Sequence, residues 1–188
     1  MKCIKKLGMQ CNKERGLPLI LTGIVVLVDQ ITKAIIYKNW PILPGEFSRF
    51  ITDVFGNDFL HIIHVRNKFI AFSLGQNVPE VVRPIVFIVL PILVLCVLLW
   101  YYLSSNEFTR LQRWAVAGIL GGGIGNMIDR VFQPDGVVDF ISVKFYGIFG
   151  FERWPTFNVA DSSVVVCCIL LLLTIIFSGN SKRKKTET

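Results

Sequence analysis

The chain has 188 residues, 53% of them hydrophobic, with a positive mean hydropathy and a formal net charge of +7. Apolar residues in such numbers, drawn out into long runs, exclude an ordinary water-soluble domain and point to a polytopic membrane protein. The basic residues argue for membrane topology rather than nucleic-acid binding, because they cluster beside apolar runs: Lys2, Lys5, Lys6, Lys13 and Arg15 at one end, Lys182, Arg183, Lys184 and Lys185 at the other.

In chain order, four apolar segments reach the roughly 20 residues that a helix needs to cross a bilayer core. They lie near 17–36, 83–103, 111–131 and 158–177. The tail before the first span, the loop 104–113 and the tail after the last all carry Lys or Arg close to the spans. That side is therefore expected to be cytoplasmic, with both termini on it. Segments 37–82 and 132–157 then face the outside. Phe59 to Val65 reads Phe-Leu-His-Ile-Ile-His-Val, a strand pattern, so a small external sheet is expected there. Trp40, Phe145, Tyr146, Phe149 and Trp154 suit the membrane–water interface. The expected architecture is an all-α membrane protein with four transmembrane helices and a small external sheet. It forms a single domain over 1–188, with no internal repeat or linker.

The second span contains Pro91, which removes a backbone donor and predicts a bend. The third carries Gly118, Gly121, Gly122, Gly123 and Gly125. Gly118/Gly122 and Gly121/Gly125 fit a small-x-x-x-small pattern that lets helices approach closely. Cys3, Cys11, Cys96, Cys167 and Cys168 show no zinc spacing, and no disulfide is expected. His61 and His64 have no metal-ligand companion at recognisable spacing, so neither metal nor cofactor is expected. No Gly-x-Ser-x-Gly elbow appears. The first apolar run is not followed by a small-residue cleavage site.

Ionisable groups at or inside the spans are the informative feature, since they are costly in a bilayer. Asp29 and Lys33 are four apart and share a helix face with Gln30 nearby; a neutralised pair and a functional pair are equally compatible with that spacing. Asn126, Asp129 and Arg130 end the third span, as interfacial anchors or as site groups. Asp139 sits between Val138 and Phe140, where desolvation disfavours its charge. Asn158 can cap the fourth span, with Asp161 in its first turn. On this topology Asp139 and Asp161 flank one external loop. Two carboxylates brought together share a proton, one activating water while the other polarises a carbonyl, which is aspartyl-protease chemistry. The sequence leaves open which of the two holds the proton.

Five blocks carry a resemblance. They are Asp29-Gln-Ile-Thr-Lys33, Arg66-Asn67 with Ala71-Phe72-Ser73, Gly125-Asn-Met-Ile-Asp-Arg130, Val137-Val-Asp-Phe140 and Phe157-Asn-Val-Ala-Asp161. In this order they resemble the signature blocks of the lipoprotein signal peptidases, signal peptidase II. The resemblance implies four transmembrane helices, an external β-cradle and a catalytic pair at Asp139 and Asp161. It implies that Asp29, Lys33, Asn67, Asn126, Asp129, Arg130 and Asn158 shape the site or hold substrate. The implied substrate is a diacylglyceryl-modified prolipoprotein, cut just before the lipidated cysteine at the external face of the bacterial inner membrane. The implied partners are membrane lipid and inhibitors of the globomycin type. One departure is Phe69, where the family usually has glycine; the segment between Asp139 and Asp161 is also slightly long. From another class, a small proton-coupled transporter would use the same intramembrane charges as an ion path. A membrane adaptor would leave the clustered Asp and Asn residues unexplained.

Overall fold

The computed structural model describes residues 2–68 and 78–184. Phe69, Ala71, Phe72 and Ser73 lie outside those residues. Among the described residues there are four α-helices: α1 (Lys2–Asn39), α2 (Leu90–Ser104), α3 (Arg110–Phe132) and α4 (Val159–Lys184). Three strands, β1 (Ser48–Asp53), β2 (Leu60–Asn67) and β3 (Val137–Val143), form one antiparallel sheet in the order β1-β2-β3.

Among the described residues, three stretches are long and apolar enough to cross a membrane: Glu14–Asn39, Ile85–Ser104 and Val159–Phe177. Their outward faces present Leu27, Leu93, Val97, Leu172 and Ile176 more than half exposed. Water would reject such bands, whereas lipid solvates them. The segment expected as a fourth span, 111–131, is indeed helical in α3, but it is less apolar than the other three. Its glycines and its charges Arg110, Arg113, Asp129 and Arg130 lower its hydropathy. The physical reason is position: α3 packs against α1, α2 and α4, and Ala115, Val116, Ala117 and Leu120 are almost fully buried. A helix sheathed by other helices needs small residues more than it needs oily ones.

The glycines of α3 set those approaches. A Cβ at Gly122 would strike the Ala160 carbonyl oxygen on α4, and one at Gly118 would strike the Cys167 sulfur. At Gly121 it would meet Val25 of α1 at 2.9 Å. Hydroxyls bridge the same contacts: Thr22 Oγ1 donates to the Ala117 carbonyl at 2.7 Å and Ser163 Oγ to the Gly118 carbonyl at 2.9 Å. Pro91 falls in the first turn of α2, directly after a π-helical turn, Ile85–Val89. Leu90 N–H reaches back to the Ile85 carbonyl, so the chain widens where Pro91 can give no hydrogen bond of its own.

The sheet is seated on the same end of the bundle as the C-terminus of α1 and the start of α4. Ile36, Val138 and Phe140 form its buried contact, with Trp40, Ile51, Ile62 and Val159 packed around them. The strand expected over 59–65 is β2, which extends to Asn67. One feature places α4: Phe157 pairs with Ile141, its carbonyl accepting from Phe140 and Ile141 N–H at 3.0 and 2.8 Å. The chain is thereby fastened to β3 one residue before Asn158.

Candidate active site

Asp139 lies in the middle of β3, opposite Val65 of β2, and is only 2% exposed. Asn67, two residues along β2, donates its side-chain amide to Asp139 Oδ2 at 2.9 Å. The Phe157–Ile141 pairing carries Asn158 to the other oxygen, and its amide donates to Asp139 Oδ1 at 2.7 Å. Asn158 also caps α4: its Oδ1 accepts from Asp161 N–H at 3.0 Å, while its own N–H donates to Asp161 Oδ2 at 3.2 Å. One residue therefore holds both carboxylates, Asp139 by its side chain and Asp161 by its backbone. The remaining Asp161 oxygen accepts from Asn126 Nδ2 at 2.7 Å. Burial, and then the charge of neighbouring Asp161, push the Asp139 carboxyl up to about 7 against its two amide donors.

Beneath this pair is a buried ion cluster. Lys33 Nζ contacts Asp29 Oδ2 at 2.8 Å, Asp129 Oδ2 at 3.0 Å and Asn126 Oδ1 at 3.0 Å, so each ammonium proton has an acceptor. Asp29, Lys33 and Asp129 are at most 2% exposed. Asp29 Oδ1 accepts from Ala160 N–H at 2.9 Å, next to Asp161. Asp129 Oδ2 accepts from Val138 N–H at 3.2 Å, next to Asp139. Lys33 thus joins two carboxylates that each fix the backbone beside one member of the pair. Gln30 closes the cluster, its amide reaching Asp29, Asp129 and the Gly125 carbonyl at 3.2, 3.1 and 3.0 Å. Gly125 must be small, because a Cβ there would sit 2.7 Å from Asp29 Oδ2.

All nine sequence-nominated residues fall in this region. Eight join the hydrogen-bonded and ionic network around the pair. Arg130 lies over the Phe87 ring at 5.9 Å, and the charges of Asp139 and Asp161 both act on it. The Asp29–Lys33 pair exists, and it is shared with Asp129 rather than closed on itself. Sequence reasoning assigned no role to Gln30, Arg66 or Gly136. Arg66 stacks on Tyr37 at 4.4 Å and donates to Gln133 Oε1 and the Gly136 carbonyl at 2.9 and 3.1 Å, bracing the turn into β3. Gly136 has φ +94°, and a Cβ there would strike the Asn67 carbonyl oxygen. The signal for Gly136 was its place just before Val-Val-Asp; Gln30 was marked only by adjacency to Asp29. His61 pairs with Asp58 at 2.9 Å, and His64 is buried against the Trp40 carbonyl at 2.7 Å.

A bundle with three stretches apolar enough to cross a membrane carries a small sheet over one end, and Asn158 bridges two carboxylates where they meet. The family model described as signal peptidase (SPase) II matches residues 21–177. The chain belongs to the signal peptidase II family. Among proteins similar to this peptidase is the lipoprotein signal peptidase of Treponema denticola, 48% identical over 156 residues, or 83% of this chain and 86% of that one. That of Treponema pallidum is 44% identical over 153 residues, 81% of this chain and 79% of that one. Two solved structures, each described as a bacterial membrane enzyme, are 28% identical with TM-scores of 0.69 and 0.67. They cover 89% and 85% of this chain, and 92% of their own length in each case. The comparisons give no support to the transporter reading.

Proposed function

We propose that this signal peptidase II works as an aspartic endopeptidase, with Asp139 and Asp161 as its catalytic pair. The reaction of the family is removal of signal peptides from prolipoproteins. The observation that carries the catalytic reading is Asn158, which bonds Asp139 Oδ1 at 2.7 Å with its side chain and Asp161 Oδ2 at 3.2 Å with its backbone. Two carboxylates so held share one proton. Together they activate a water and protonate a scissile carbonyl, with no metal or cofactor. Asp29, Lys33, Asn126, Asp129 and Asn158 act by holding the pair in place, and Asn67 and Arg130 order its outer side.

On this reading α3 is the fourth span, inside a sheath of α1, α2 and α4, and residues 1–188 form one domain. Arg15, Arg110 and Arg113 gather at the end of the bundle opposite the pair, where Arg15 and Arg113 donate to the Leu103 and Ser105 carbonyls. That end is cytoplasmic by its positive charge, with both termini on its side of the bacterial inner membrane. The pair then faces the outside. The substrate is a prolipoprotein whose cysteine carries diacylglycerol, and its acyl chains in the outer leaflet bring the bond before that cysteine to the pair. Anchoring and orientation of this kind supply much of the rate. Purified protein should cleave a diacylated prolipoprotein and leave the unlipidated precursor intact, and globomycin should block the reaction. Equal cleavage of both precursors would refute the lipid requirement.

A further inference from the structure

Between Lys144 and Arg153 the chain leaves the sheet as a tongue. Phe145 N–H donates to the Glu152 carbonyl at 2.8 Å, Gly147 N–H to the Phe151 carbonyl at 3.0 Å and Trp154 N–H to the Val143 carbonyl at 2.9 Å. Arg153 ties the returning strand to Ser142, and Asp58 holds both Arg153 and Lys144. Phe145 packs on Trp154 at 4.9 Å and Phe151 meets the same ring edge-on at 6.0 Å, so the base of the tongue is filled. The tip is different. From Phe145 to Phe151 the chain reads Phe-Tyr-Gly-Ile-Phe-Gly-Phe, without a charge. Tyr146 is 63% exposed, Ile148 51% and Phe149 86%. Tyr146 and Phe149 also hold φ of +54° and +53°, a costly region for an aromatic residue. A hydrogen-bonded turn thus keeps strained backbone while three large apolar side chains stay outside the packed base.

We infer that this tip is a membrane-docking surface, seated in the bilayer leaflet beside the start of α4. The tongue is continuous with a lipid-facing surface. Trp154 stands five residues before Val159, where the apolar stretch of α4 begins, a reach of at most about 18 Å. Just beyond, Val165, Val166 and Ile169 belong to the exposed apolar band of that helix. Aromatic side chains settle at the boundary between lipid headgroups and acyl chains. The tip has no charge to meet a phosphate or an acidic partner, so a neutral bilayer satisfies it by covering apolar surface alone. Both strands of the tongue lead to the site: Val143 follows Asp139 by four residues, and Asn158 follows Trp154 by four. Docking therefore sets the height of Asp139 and Asn158 against the lipid in which a diacylated substrate is anchored. The docking stands by itself; the alignment of the site rests on Asp139 and Asp161 being the catalytic pair.

Phe149→Trp in the full chain, reconstituted in neutral phosphatidylcholine vesicles, tests the docking. The emission gained over the unmodified protein, which has four tryptophans, should shift to the blue. It should be lost in vesicles brominated high on the acyl chains, since interfacial groups lie about 5–10 Å into the headgroup and acyl boundary, and iodide in the water should leave it intact. Emission that iodide quenches and brominated lipid does not would overturn the docking, and this readout needs no turnover. The alignment is read from cleavage of a diacylated prolipoprotein in the same vesicles. Phe149→Asp, whose short side chain tolerates the positive φ, should lower kcat/KM about tenfold or more by forfeiting the burial of one ring, while Phe149→Trp keeps it. Equal kcat/KM in the two variants would overturn the alignment. If Asp139→Asn and Asp161→Asn both keep turnover, the catalytic reading fails instead, and the emission result is untouched.

Discussion

Two charged clusters in this molecule use the same chemistry in different surroundings. Beside the three-stranded sheet, Asp58 meets His61 at 2.9 Å, Lys144 at 2.6 Å and Arg153 at 3.0 Å, with its carboxylate half exposed. Under Asp139 and Asp161, Lys33 meets Asp29, Asp129 and Asn126 at similar distances with almost no exposure. The Lys144 hydrogen bond and nearby charges hold the Asp58 carboxyl below the usual carboxylate range, yet water screens the whole cluster. The inner cluster is closed off from bulk solvent. Contact distance alone does not rank the two; what replaces a lost partner does.

The largest expected effect follows from removing the inner cation. Lys33→Met leaves Asp29 and Asp129 buried without their ammonium and should cost about 3–5 kcal/mol of stability. Denaturant unfolding in detergent micelles measures it, and a change near zero would mean that the cluster is hydrated. Next is the pH dependence of activity. On the proposed mechanism the pair works with one shared proton, and with the Asp139 carboxyl held up to about 7 turnover should fall about tenfold per pH unit above that value. The same upward displacement makes the folded state bind the proton more tightly than the unfolded chain. Its contribution to stability is full below pH 3.8 and is lost as pH rises through about 7.

A smaller effect belongs to His64. It is 1% exposed, its Nδ1 bonds the Trp40 carbonyl, and Nε2 has no partner among the described residues. Burial lowers its pKa below 6.5, helped by the Arg66 charge and opposed by the Trp40 bond. A group displaced downwards supports folding above its unfolded value, and that support fades as pH falls below about 6.5. His64→Gln, which can still donate to Trp40 and does not titrate, should flatten the thermal stability profile between pH 5 and 7, an interval chosen as roughly one unit either side of histidine titration. The smallest effect is at Asp58. Asp58→Asn should shift the melting temperature little, and the shift should vanish at high salt. A large, salt-insensitive loss there would erase the contrast between the clusters.

Much of the site was legible because its residues are out of place: Asp29, Lys33, Asn126 and Asp129 stand in or beside apolar segments, where each costs free energy. The capping role of Asn158 was legible from its spacing to Asp161. What joins them was not. Lys33 pairs with Asp29 four residues away, a local relation that spacing reveals, but also with Asp129 across the bundle. The meeting of Asp139 with Asn158 depends on Phe157 pairing with Ile141, a backbone contact without a side-chain signature. Helix α3 was read as a fourth apolar span, but its glycines serve close packing against α1 and α4 and leave it less apolar than the other three. Strands β1 and β3 were not separately read, since β3 is buried on both faces and shows no alternation. The block carrying Phe69 lies outside the described residues.

The most direct measurement is single-turnover cleavage of a diacylated prolipoprotein by Asp139→Asn, Asp161→Asn and the double variant, each shown to be folded. Two carboxylates working on one water act as a unit, so each single variant should lose at least about a thousandfold and the double variant no more than either. A single variant that cleaves at close to the unmodified rate would contradict the account.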